Sequence, residues 1–175
     1  MKPDLFMNDF ERTVWADAHY SVVGRALTFA TRFEGLCRAL HVYIGLEENK
    51  GILESEEEVI KLVNSLNKLK LVQHVTAIAR DESELKNILD KGRLARNEMA
   101  HDLTIGLDRC IDILPDKHIN KLMERLRELI IELAEADRAV SFIMTVVTHE
   151  PLPTNDFLAK YPQLIEKWVM EQDEI

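Results

Sequence analysis

Glycine and proline are scarce. The 175-residue chain holds six of one and five of the other, and no two of them stand side by side. Strand-like alternation of apolar and polar residues is nowhere sustained, so an all-α fold is expected. Cysteine is nearly absent: Cys37 and Cys110 form no CxxC pair, and no apolar run follows a basic start. Neither a disulfide framework nor secretion is indicated, and the expected setting is cytoplasmic with both thiols reduced. Long hydrophobic runs are missing too. Charge interrupts every apolar segment within a few positions, well short of the roughly 20 residues that a membrane span needs, so no membrane partner is expected. The chain has no HxxxH or HExxH among its histidines, and no GxSxG, P-loop or GxGxxG, so neither a metal nor a cofactor is expected.

What is present begins with charge. The formal net charge of -9 argues against a polyanionic partner at first sight. Its location changes that reading. Residues 47–58 carry six acids and one lysine, and residues 150–175 carry six acids and two lysines, which together account for the whole excess. Within the neutral remainder, Lys86, Lys91, Arg93 and Arg96 stand against Asp90 alone, a local surplus that would attract an anionic ligand or an RNA strand. A solvated helix face of mixed charge accounts for the same pattern.

Two long helices are written in heptads. From Trp15, apolar residues recur at Val22, Phe29, Leu36 and Tyr43, with Ala18, Ala26, Phe33 and Leu40 alongside. From Ile119 the same step gives Leu126, Leu133, Val140 and Val147, with Leu122, Leu129, Ala136 and Ile143 as a second row. Met123, Ile130 and Met144 broaden this stripe, which favours an up-and-down bundle over a two-stranded coiled coil. Asp116 after Pro115 is the expected N-cap of the second long helix. Shorter helices are expected to be capped at Ser55 with Glu58, and at Asp81 with Glu84, with Gly92 breaking or bending the latter so that residues from Arg93 to about Leu103 form a turn-and-helix segment of their own. Pro151 and Pro153 end the second long helix, and Thr154 opens an amphipathic C-terminal one. Residues 1–150 are read as the bundle and 151–175 as a terminal helix packed on it or on a partner subunit.

The stretch Arg96-Asn97-Glu98-Met99-Ala100-His101 stands out as chemistry. Histidine exchanges a proton near neutral pH and arginine holds charge on a phosphate, which together suit metal-free phosphoryl transfer on RNA. On an ideal helix Arg93, Asn97 and His101 form one line, whereas Arg96 lies about 140° round from His101. The second Arg/His pair, Arg12 and His19, lies beside the apolar seam and is read as scaffold. Cys37 faces the seam and is read as core.

RNEMAH resembles the RxxxxH signature of HEPN domains, in the form with Asn after the Arg and Ala before the His. The resemblance covers Arg93 to Leu103. It implies a helical bundle that dimerises with the motifs of two subunits facing each other, and endoribonucleolytic cleavage without metal. Arg96, Asn97 and His101 would be catalytic: His101 as general acid or base, Arg96 on the charged transition state, and Asn97 orienting the histidine or the phosphate. Lys91 and Arg93 would contact the RNA backbone. HEPN toxins paired with a nucleotidyltransferase antitoxin often carry tyrosine two residues after the histidine. Leu103 stands there, so control by modification of that tyrosine is not implied. A weaker similarity, in helix order and in the Arg/Asn/His stretch, is to the mannitol-operon repressor family, and it implies a non-catalytic regulator or scaffold. Apart from either resemblance, the residues also allow a structural network in which His101 pairs with Asp102 or Glu98, and Arg96 bridges to an acid such as Glu84 across a helix interface.

Overall fold

A computed structural model describes residues 13–103, 111 and 114–171. Among the described residues it is an all-α bundle of six helices with no strand. In chain order these are α1 (Val14–Glu48), α2 (Glu56–Asn67), α3 (Leu71–Ala79), α4 (Ser83–Asn97), α5 (Asp116–Val147) and α6 (Asn155–Met170). A π-helical turn, Glu98–Asp102, follows α4 directly. Among the described residues no helix is long and apolar enough to cross a membrane.

The heptads become the core. Val22, Ala26, Phe29, Phe33 and Leu40 of α1 bury against Leu126, Leu129, Ile130, Leu133, Ala136 and Val140 of α5. Burying each large aliphatic or aromatic side chain contributes roughly 1.5–3 kcal/mol, so this seam dominates the stabilising terms. The seam begins one heptad later than the spacing predicts. Trp15 remains 40% exposed, and Ala16 is the residue buried at that end, in a small cluster with Ile111 and Ile119. The apolar face of α3, Val75, Ile78 and Ala79, closes the core from a third side. By contrast α2 buries no residue.

Helix ends follow local chemistry. Thr13 caps α1 through Ala16 N–H at 3.1 Å, and Thr154 caps α6 through Phe157 N–H at 3.2 Å. At α2, Glu58 N–H donates to Ser55 Oγ at 3.3 Å, but the Glu58 carboxylate reaches back to Glu54 N–H rather than to Ser55. Two expected caps are displaced. Pro115 occupies the N-cap of α5 with Asp116 in the first turn, and α4 starts after Glu82 with no side-chain cap.

α6 lies on α5 and α1, and its docking is polar as well as apolar. Pro162 sits inside this helix and is buried. A proline has no N–H to give the carbonyl four residues back. That carbonyl, on Leu158, instead accepts from Arg138 Nη1 of α5 at 2.9 Å. At the other end Arg25 of α1 donates to the carbonyls of Val169, at 3.0 Å, and Glu171, at 2.5 Å.

Candidate functional site

α4 presents one narrow face to the bundle: Leu89, Gly92, Ala95 and then Met99 in the π turn are all buried. Gly92 does not break the helix, which runs on through it. A Cβ at Gly92 would stand 2.2 Å from Ala136 Cβ, so this glycine is required for close approach of α4 to α5. The interruption falls instead at Glu98, where Leu103 N–H bonds to the carbonyl of Glu98, five residues back. Hydrogen bonding at i→i+5 holds one residue more per turn than the α-helix does. Arg96, at the end of α4, and His101, in the π turn, are therefore not related by the 140° of ideal α geometry.

Anchors on both neighbouring helices fix this segment. Arg96 Nη2 meets Glu34 Oε2 of α1 at 2.5 Å, and Arg96 Nη1 donates to Asn97 Oδ1 at 3.2 Å. The other oxygen of Glu34 accepts from Arg38 at 3.2 Å. Glu98 grips Arg125 of α5 through both oxygens, at 2.7 and 2.8 Å. The Arg125 guanidinium holds the Glu98 carboxyl below the usual carboxylate range, and the carboxylates of Glu98 and Glu128 push Arg125 up. Arg96 and Asn97 are half-buried, whereas His101 and Asp102 are exposed.

The structure brings together only part of what the sequence singles out. Arg96 and Asn97 touch, and His101 follows them on the π turn. Arg93 is turned to Asp90 at 3.0 Å, while Lys91 is exposed with no ion pair among the described residues. The acid that holds Arg96 is Glu34, not the nearer-in-sequence Glu84. Clefts of about 290 Å³ beside Arg138, Ala139, Phe142 and Leu158, and of about 310 Å³ beside Tyr43, Glu47 and Arg80, lie away from these residues.

Two polar clusters are not among the residues that the sequence singles out. His41 and His74, on α1 and α3, face each other with Nδ1 atoms 2.9 Å apart, and His74 is 1% exposed. Burial lowers both from the ordinary histidine value. At His74 the neighbouring His41 and Arg38 lower it further, with a Leu69 backbone bond and Glu34 opposing, and at His41 Glu48 opposes. The second cluster is centred on Asp137, which is fully buried on α5. It receives Arg32 Nη1 at 2.5 Å, the Tyr161 hydroxyl at 2.5 Å and Ser141 Oγ at 3.3 Å. Burial raises the Asp137 carboxyl, with Tyr161, Arg32 and Ser141 opposing, and burial beside Asp137 raises the Tyr161 phenol. Asp137 had one sequence signal: an acid between Leu133 and Val140 on an otherwise apolar stripe. Cys37 lies within the core, its thiol pushed up to about 12 by burial and by the Asp137 and Glu34 carboxylates, which makes it a poor nucleophile.

His19 packs on Trp15 with ring centroids 4.4 Å apart, and Arg12 and Cys110 lie outside the described residues. Among the described residues no group of three or more His, Cys, Asp and Glu is placed to hold a metal ion. No family model, curated protein or solved structure matches the chain. The site therefore stands on its own chemistry: a cation and an amide held at the C-terminal end of α4, followed by a turn that carries an exposed imidazole.

Proposed function

We propose that the chain is a HEPN-like RNA-binding domain of the cytoplasm, acting as a homodimer and cleaving RNA without metal in a toxin-antitoxin or defence setting. The observation that carries this reading is the π turn Glu98–Asp102, which overlaps the Arg96–His101 stretch and is a local departure from α geometry of the kind frequent at functional sites. His101 is exposed in that turn, which follows Arg96 and Asn97, themselves oriented by their neighbours. In such a reaction His101 removes the 2′-hydroxyl proton, the freed oxygen attacks phosphorus to form a 2′,3′-cyclic phosphate, the P–O5′ bond breaks, and the leaving 5′-oxygen takes a proton from water. Arg96 stabilises the charge gathered on the phosphoryl oxygens. Lys91 and Arg93 lie one turn before the motif, where they suit backbone contacts.

A second reading, a non-catalytic regulator or scaffold similar to mannitol-operon repressor proteins, is favoured by a specific contact: the Arg96 guanidinium already has a carboxylate, Glu34. Incubating end-labelled mixed-sequence RNA in EDTA with wild type, His101→Ala and Arg96→Ala separates the two. Cleavage by wild type alone, with all three folded, supports the ribonuclease. Folded wild type that neither cleaves nor binds RNA leaves the scaffold.

A further inference from the structure

The Arg96–Glu34 pair crosses from α4 to α1, joining residues 62 apart in sequence. Both side chains keep about a quarter of their surface in water, 24% and 25%, so a competing anion reaches them without unpacking the core. Glu34 would not be stranded by losing Arg96, because Arg38 holds its other oxygen. Nor would Arg96 be left without a neighbour, since Asn97 remains bonded to it. The turn itself needs no movement: Glu98 on Arg125 and the buried Met99 fix it independently. A guanidinium binds carboxylate and phosphate with the same planar fork, so exchange of one for the other is like for like.

We propose that Glu34 is a built-in competitor of RNA: a phosphodiester oxygen displaces the Glu34 carboxylate from Arg96, and this displacement sets the affinity of the surface. The inference rests on the RNA reading of the site. Glu34 acts through Arg96 and is a positioning residue, not a catalytic one. Its effect is a lowered affinity at rest, combined with an arginine already held at its station.

The test is fluorescence anisotropy with a 5′-fluorescein-labelled single-stranded RNA of mixed sequence, over a series of salt concentrations. Full-length wild type, Glu34→Gln, Arg96→Ala and the double variant are compared, with a urea midpoint for each. The expected result is about ten-fold tighter binding by Glu34→Gln and a salt dependence steeper by about one phosphate contact. Arg96→Ala and the double variant bind equally weakly. Should Glu34→Gln fail to fold, Glu34→Asp carries the test, since it withdraws the carboxylate from Arg96 yet keeps its charge, and an intermediate gain is expected. Unchanged or weaker binding by the folded Glu34 variant, where wild type binds through Arg96, overturns the competitor and leaves the RNA reading standing. A gain that persists without Arg96 also overturns it, as a general charge effect. Binding only after the Glu34 substitution, dependent on Arg96, supports both. No binding by folded wild type or by the folded Glu34 variant overturns both.

Discussion

Two arginine–carboxylate pairs tie other helices to α1 at the same 2.5 Å, and they belong to different physical regimes. Asp137 with Arg32 has its carboxylate fully buried, with Tyr161 and Ser141 completing its bonds. Arg96 with Glu34 has both members partly in water. In the first, removing a partner exposes the desolvation cost of the buried member. In the second, water and salt replace whatever is removed. Contact distance is therefore a poor guide to energy: Arg32 keeps 46% of its side chain in water, and it is the fully buried Asp137 carboxylate that makes its pair the structural one. The pair with both members about a quarter exposed is the weaker one, open to exchange with other ions.

That contrast is most exposed to refutation at Arg32. Arg32→Met leaves the Asp137 carboxylate buried with only hydroxyl partners, and a loss of about 3 kcal/mol is expected in urea unfolding. Because the unpaired carboxyl relieves itself by protonation, the loss should shrink as pH is lowered toward 4.5. A loss under 1 kcal/mol would place this pair in the same regime as the exposed one.

A second measurement asks what fixes α4 beside α1 in the first place. Gly92→Ala gains about 1 kcal/mol of helix propensity but forces a methyl group into Ala136. Overpacking wins, for a net loss of about 1–2 kcal/mol. Ala136→Gly in the same chain should recover part of it, which identifies close packing, not the Arg96–Glu34 pair, as what seats the helix.

His41 and His74 extend the comparison to a pair with one buried member. Their folded values are lowered, so below about pH 6.5 the unfolded chain binds protons that the folded chain refuses. The contribution is fully present above that value and is lost as pH falls toward the folded values. A drop of about 1 kcal/mol between pH 7 and 5.5 is expected, and His74→Leu should flatten it. The smallest effect belongs to Glu34→Gln on stability, less than about 1 kcal/mol at moderate salt.

The legible parts of this molecule were those set by local repetition. Val22 to Leu40 and Leu122 to Val140 repeat often enough that the 3.6-residue period alone assigns α1 and α5 and their buried faces. Ser55 and Thr154 cap helices because a hydroxyl needs only the next turn to find its donor. Partner choice across helices was not legible. Arg96 takes Glu34, and His41 takes His74 across 33 residues, because packing decides those meetings. Gly92 misled for a related reason: a glycine that breaks a helix and one that lets two helices touch look the same in one dimension. The π turn had no sequence signal either, so its effect on the Arg96–His101 geometry became visible only with the backbone.

Pro162 has a consequence for how α6 finds its place. A helix docked by apolar contacts alone can slide by a turn along its neighbour with little change in contact. The vacated carbonyl of Leu158 singles out one level along α6 where the Arg138 side chain finds an open acceptor. One turn up or down, the same guanidinium meets a carbonyl already engaged within the helix. The proline thus works as a notch and Arg138 as its tooth, so axial register is set by a hydrogen bond withheld from one helix and supplied by another.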